Sequence, residues 1–241
     1  MRLRVDLAPR PPYHDELIVV VDALRATTSI TILLENGARE VWVASSTGVL
    51  RDRARTGDLL LGEREGLPPE GFHHGTSPAA LEQLDVNGRR VFFTSDNLPA
   101  TLESVEHAND VWLASLRNAP LVVEKLVEAA PERVAVVCAG FRGTEALDDA
   151  FAAGLLVRAL ASRQVPLSLG DAARLSAALP VAFANPLEAL MASASGRYLL
   201  GMGFEDDLVA ASRVGADRNL PILAGSEQTG SERLFRFTAS P

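Results

Sequence analysis

The sequence predicts a layered α/β/α protein built on a mixed, largely parallel sheet. Two observations carry this expectation. Short apolar runs of strand length recur and alternate with helical or irregular segments. A strand-helix-strand pattern also recurs weakly, as a βαβ duplication would leave it.

The first run, residues 18–21, is Ile-Val-Val-Val and reads as a buried strand. Asp22, Arg25 and the cluster Thr27-Thr28-Ser29 follow it, and the hydroxyls are suited to cap a helix that runs through Leu33 and Leu34 and stops at Gly37. Strands are expected over 39–44, 58–61 and 89–94. Between them, residues 63–78 carry three glycines and three prolines, the composition of a long irregular loop. A helix over 120–130, a strand over 134–138 and a helix over 147–162 continue the alternation. The stretch 164–190 is less regular, with a short helix over 172–179 opened by Gly170-Asp171 and a turn at Asn185-Pro186. Helices over 186–200 and 206–214, a short strand over 221–223 and a final edge strand over 233–237 complete the expectation.

The repeat pairs Asp22-Ala-Leu-Arg-Ala-Thr27 with Asp96-Asn-Leu-Pro-Ala-Thr101, and Val41-Trp-Val-Ala-Ser45 with Val111-Trp-Leu-Ala-Ser115. Its second copy is shorter by about one helical turn, which leaves the buried face in place. Asp22 and Asp96 then occupy related strand ends across a pseudo-symmetric cleft. Arg25 has no counterpart, because Pro99 stands at the equivalent position.

With 241 residues the chain is expected to form a single α/β domain; two lobes, about 1–165 and 166–241, are the alternative. A net charge of −8 argues against nucleic acid and anionic membrane surfaces as partners. The lone Cys138 excludes an internal disulfide and suits a reducing cytoplasm, and the N-terminus lacks the apolar run of a signal peptide. A homo-oligomer is an open expectation.

The strand-end residues point to an anion site. In open α/β sheets ligands gather at the carboxyl ends of strands, where helix N-termini present unpaired N–H groups. Arg25 offers a charged fork, and Asp22 can hold a cation or position water; a local ion pair is the plainer reading of both. Glu63 lies just past a strand and can join Asp22 around a divalent ion, or simply be solvated. Asp148 and Asp149 open a helix, where acids favour the helix dipole and are also able to bind metal. His73 and His74 are adjacent, so their side chains diverge, and they lack zinc-site spacing. Arg142 follows Cys138 too closely for a cysteine phosphatase loop, and Cys138 reads as buried packing.

Taken in order, the segments DALRATTSI, LGEREG, GFHHGTSP, VVCAGFRG and LDDAFAAGLL resemble the motifs of the 2-phosphosulfolactate phosphatase family. The family pattern runs approximately D-V-L-R-A-T-T, G-E-R-x-G, G-F-x-x-G-N-S-P, T-T-N-G-T-R-A, C-A-G-x-x-G and E-D-x-x-x-A-G. The resemblance implies an α/β fold and magnesium-dependent hydrolysis of a small acidic phosphate monoester, 2-phosphosulfolactate, giving sulfolactate on the route to coenzyme M. It places Asp22, Arg25, Thr27, Thr28, Glu63, Arg64, Ser77, Cys138, Gly140 and Asp149 on motif positions. On this basis Mg²⁺ is expected on Asp22 with Glu63 or Asp149, and phosphate on Arg25, Thr27 and Thr28. Arg64, Ser77 and Gly140 would assist in binding substrate, with Asp96 orienting water. Asp148 replaces the usual Glu and Thr76 the usual Asn. The larger departure is Thr94-Ser-Asp-Asn-Leu-Pro-Ala100, which lacks the glycine and second arginine of T-T-N-G-T-R-A. That loss keeps two other readings open: a non-catalytic small-anion-binding protein on the same fold, and a different metal-dependent hydrolase.

Overall fold

The computed structural model describes residues 1–13, 17–163 and 165–240; Gln164, the first residue of the less regular stretch 164–190, lies outside them. In chain order the elements are β1 (Arg2–Asp6), β2 (Leu17–Val21), α1 (Ala26–Glu35), β3 (Glu40–Val43), α2 (Thr47–Arg53), β4 (Leu59–Gly62) and α3 (Pro78–Leu81). They continue with β5 (Arg90–Thr94), α4 (Leu98–Ser104), β6 (Asp110–Ala114), α5 (Ala119–Ala129), β7 (Arg133–Cys138), α6 (Leu147–Ala161), β8 (Ser168–Leu169) and α7 (Asp171–Ala182). The last are α8 (Pro186–Ala192), α9 (Ala194–Gly201), α10 (Glu205–Ala211), β9 (Pro221–Thr229) and β10 (Glu232–Ala239).

The strands form one sheet in the order β4-β5-β3-β10-β9-β6-β2-β7-β1-β8. All pairings inside the two outer blocks are parallel, whereas β3-β10, β10-β9 and β9-β6 are antiparallel. Helices cover both faces. Alternation along β2 divides the core: Val19 and Val21 face α5 to α10, while Ile18 and Val20 face α1, α3 and α4. The fold is therefore the expected layered α/β arrangement with a mixed, largely parallel sheet.

Sheet order also gives the sequence repeat a spatial counterpart. Read inward from the β4 side, the strands are β4, β5, β3; read inward from the other side of the β9-β10 hairpin, β7, β2, β6. The unit β2-α1-β3 crosses from one block to the other, and β5-α4-β6 makes the reverse crossing. Three antiparallel pairings would send the carboxyl ends of the two blocks to opposite edges of a flat sheet. Twist of about 20–25° per strand step, summed from β2 to β5, turns those ends toward one another. The turns after β2, β4, β5 and β7 accordingly meet in one cleft.

Three expectations about elements are corrected. Residues 233–237 are not an edge strand, because β10 lies in the sheet interior between β3 and β9. The helix over 186–200 is two helices, broken where Ser193 leaves helical geometry and its side chain caps α9 through the Gly196 N–H. Thr27, Thr28 and Ser29 do not cap α1; Arg25 is its N-cap residue, and the three hydroxyls lie inside the first turns, fully buried.

Gly154 on α6 sits where α7 crosses it. A Cβ there would lie 2.0 Å from the Ser176 carbonyl oxygen, which is backbone and has no rotamer to yield. Gly154→Ala is expected to destabilise the protein by about 1–3 kcal/mol, read as a lower denaturant midpoint with unchanged slope.

Candidate active site

The apolar β2 delivers Asp22 to the floor of a cleft of about 650 Å³. The cleft is lined by Asp22, Arg25 and Ala26 after β2, by Glu63, Glu65 and Gly66 after β4, and by Ser95, Asp96 and Asn97 after β5. Thr76, the 141–143 turn after β7, and Ser195, Tyr198 and Leu199 of α9 complete the walls.

Asp22 is 4% exposed. Its Oδ1 accepts the Ala26 N–H at 3.2 Å, and its main-chain carbonyl accepts the Thr27 hydroxyl at 2.8 Å. Burial raises its pKa to about 7; Asp148 and Glu63 push it the same way, while the Ala26 N–H and Arg25 oppose them. Asp148 and Asp149 lie buried at the start of α6. Asp148 accepts the Ser195 hydroxyl at 3.0 Å, and burial raises its pKa to about 6. Asp149 ties two turns together, Oδ1 accepting the Ala23 N–H at 2.7 Å and Oδ2 the Gly140 N–H at 2.9 Å. Burial, then Asp148 and Asp22, hold its carboxyl well above the usual range.

Such acids penalise folding at high pH. In the unfolded chain each titrates near 4, so between about pH 4 and pH 7 the folded state binds more protons and stability falls as pH rises. Without divalent cation, the melting temperature is expected to drop from pH 5 to pH 8. Asp148→Asn should flatten that slope in thermal melts.

Arg25 is held rather than free. Its Nη1 donates to Asp207 Oδ2 at 2.7 Å, its Nη2 to the Gly66 carbonyl at 2.9 Å, and its guanidinium lies over the Phe204 ring. These contacts take two of its five N–H donors. Asp207 in turn accepts Ser77 Oγ and the Ala79 N–H. Glu63 accepts the Gly66 N–H at 2.8 Å and the Asp96 N–H at 2.7 Å, and Asp96 Oδ2 accepts the Glu65 N–H at 2.9 Å, a reciprocal clasp between the turns after β4 and β5.

Of the residues expected from sequence, the cleft gathers Asp22, Arg25, Glu63 and Asp96. The others lie behind its wall. Thr27 Oγ1 bonds the carbonyls of Asp22 and Ala114, and Thr28 Oγ1 that of Ala23. Arg64 donates to Glu63 O, Ser45 O and Thr94 Oγ1, so it braces β4 against β5. Ser77 caps α3, and Gly140, at φ +77°, lies where a Cβ would meet the Thr144 carbonyl at 2.3 Å. His73 accepts the Leu60 N–H through Nδ1 and lies off the cleft, and Cys138 is fully buried.

Sequence reasoning missed Asp207, Ser195 and Tyr198, which the fold brings from the far end of the chain, and gave no role to Thr76 and Arg142. The local signals were Arg142 itself, in a glycine-flanked turn after a strand, and the acidic run Glu205-Asp-Asp207 at a helix start.

Among the described residues no three His, Cys, Asp or Glu side chains are gathered to hold a metal ion. The donors facing the cleft are carboxylate oxygens, and the buried acids beneath it repel one another. That set fits a small hard cation bound through one or two carboxylates, with water and ligand completing its shell, and does not fit a closed cage. Among the described residues no single helix is long and apolar enough to cross a membrane.

The family model for 2-phosphosulpholactate phosphatase matches residues 3–226. A protein of Deinococcus radiodurans named as a probable 2-phosphosulfolactate phosphatase is 38% identical, over 99% of this chain and 100% of its own length. Proteins of the same name from Thermus thermophilus and Thermotoga maritima are 35% and 30% identical, covering 98% and 91% of this chain and 99% and 94% of theirs.

Proposed function

Since the chain belongs to the 2-phosphosulpholactate phosphatase family, we infer that it is a magnesium-dependent phosphatase of a small acidic phosphate monoester, with 2-phosphosulfolactate the favoured substrate. The observation that carries this reading is the placement of Asp22 and Arg25 side by side at the carboxyl end of β2, both lining the cleft above the buried acids.

Asp22 and Glu63 are the residues suited to hold Mg²⁺, which when bound would offset charge on the phosphoryl oxygens. Arg25, fixed by Asp207 and Gly66, directs its remaining donors at the phosphoryl group and stabilises charge there without reorganising. Asp96 borders the cleft with Oδ2 held by the Glu65 N–H and Oδ1 3.8 Å from Arg64 Nη1, a fixed carboxylate suited to accept a proton from the attacking water. Asp149, with each oxygen on a backbone N–H, keeps the turns after β2 and β7 in register.

A specific observation favours a second reading. At the helix start where the family carries glycine and arginine, Asn97 lines the cleft and Pro99 occupies the first turn of α4. This loses one phosphate clamp and favours an anion binder without turnover. Phosphate release from racemic 2-phosphosulfolactate and a panel of phosphomonoesters, with Mg²⁺ and with chelator, decides between them. Magnesium-dependent release is expected; folded protein that binds the ester and releases nothing overturns the phosphatase reading.

A further inference from the structure

We propose that Arg142 is the specificity-determining residue of the cleft, receiving a second anionic group of the substrate, a sulfonate or carboxylate distal to the phosphoryl group. The proposal deepens the phosphatase reading and rests on it.

The cleft has two guanidinium groups in unlike states. Arg25 is buried, and its charge is offset by Asp207. Arg142 is exposed at the rim and, among the described residues, has no carboxylate partner, although Asp22, Glu63, Glu65 and Asp96 line the same cleft. It is nonetheless placed: its guanidinium carbon lies 5.1 Å from the centre of the Phe141 ring and 4.9 Å from that of Tyr198. Such stacking holds the planar fork while leaving its edge donors open to a ligand.

The platform is tied to the rest of the site. Tyr198 donates its hydroxyl to the Glu65 carbonyl at 3.0 Å, and the next carbonyl, that of Gly66, accepts from Arg25. The two arginines are thus fixed through successive peptides of one turn. A tight turn closed by Phe141 N–H to Thr144 O at 2.9 Å and Thr144 N–H to Phe141 O at 3.1 Å presents Arg142 at φ +52°. Thr76, whose carbonyl accepts Ser29 Oγ of α1, adds an independent sign that the cleft takes a ligand: it is 1% exposed, lines the cleft, and its Oγ1 has no hydrogen-bond partner. A phosphoryl group at Arg25 leaves the Arg142 end of the cleft for the remainder of the substrate. In an acid-rich cleft that remainder is held best by an unpaired cation if it is itself an anion.

The test compares Arg142→Gln, Arg142→Lys and the parent on four esters: 2-phosphosulfolactate, 2-phospholactate without the sulfonate, 2-sulfoethyl phosphate without the carboxylate, and ethyl phosphate with neither. In Arg142→Gln the ratio of kcat/KM for 2-phosphosulfolactate to that for ethyl phosphate is expected to fall about ten- to a hundredfold. Arg142→Lys should recover part of it, and the two single-anion esters report which group is read. An unchanged ratio overturns the proposal. If the parent hydrolyses none of the esters, the phosphatase reading fails by itself, and calorimetric binding of sulfolactate decides the role of Arg142. Binding at least tenfold weaker in Arg142→Gln sustains the role; equal binding by both proteins, or none by the parent, overturns it.

Discussion

An Asp22→Asn variant is expected to lose phosphate release by at least about a hundredfold while melting at a higher temperature than the parent at pH 8 without magnesium. The opposite signs follow from one environment. Asp22 is a buried carboxyl whose pKa burial lifts to about 7, with Asp148 and Glu63 adding to the rise. At pH 8 it is charged in both folded and unfolded chains, and only the folded chain carries the desolvation and repulsion. The amide removes that penalty and keeps the oxygen that accepts the Ala26 N–H. It also removes the charge by which Asp22 would hold a cation beside the phosphoryl group. At pH 5 the parent carboxyl is already mostly protonated, so the stabilisation should shrink there. Added Mg²⁺ should raise the melting temperature of the parent at pH 8 and leave the variant nearly unmoved. Equal melting curves in metal-free buffer at pH 8 would remove the buried-charge account, and a fully active variant would remove Asp22 from the site.

The four cleft residues legible in the sequence share one property: each lies at or just beyond the carboxyl end of a strand. Asp22, Arg25, Glu63 and Asp96 follow apolar runs whose strand character is local, so their arrival at one edge could be read without knowing the partners of each strand. What failed needed tertiary information. Thr27 and Thr28 resemble a helix start because hydroxyls favour that position, yet the helix begins one residue earlier and both side chains turn to main-chain carbonyls. The sequence RLFRF has the half-polar pattern of an edge strand. In the fold its two arginines, one on each face, are engaged in ion pairs, Arg233 with Glu106 and Arg236 with Glu40, and β10 becomes central. The break at Ser193 sits in a run of small residues, Ala192-Ser-Ala-Ser195, that is neutral between continuing a helix and capping a new one. Ser195 and Tyr198 reach the cleft because α9 packs beside α6, and Asp207 reaches Arg25 because α10 packs on α3, which no local pattern announces.

The most costly single change outside the hydrophobic core is expected at Asp207. Asp207→Ala should destabilise the protein by about 3–5 kcal/mol, the usual cost of removing one member of a buried ion pair. The side chains of Arg25 and Asp207 are 4% and 1% exposed, so the guanidinium left behind loses the carboxylate 2.7 Å away on its buried side, where little water reaches it. The loss spreads, because Asp207 also accepts Ser77 Oγ and the Ala79 N–H and so pins α3 to α10. Removing both charges is a different experiment. An Arg25→Met/Asp207→Leu double variant leaves no uncompensated ion, and apolar side chains of similar volume commonly replace a buried pair at little or no cost. It should therefore regain most of the stability lost in Asp207→Ala while remaining without phosphatase activity. Denaturant unfolding of Arg25→Met, Asp207→Leu and the double variant gives the coupling energy directly. A coupling near zero would mean that the pair is not the electrostatic unit its geometry describes. A double variant that folds well and still hydrolyses the ester would show that Arg25 supports the turn without touching phosphate.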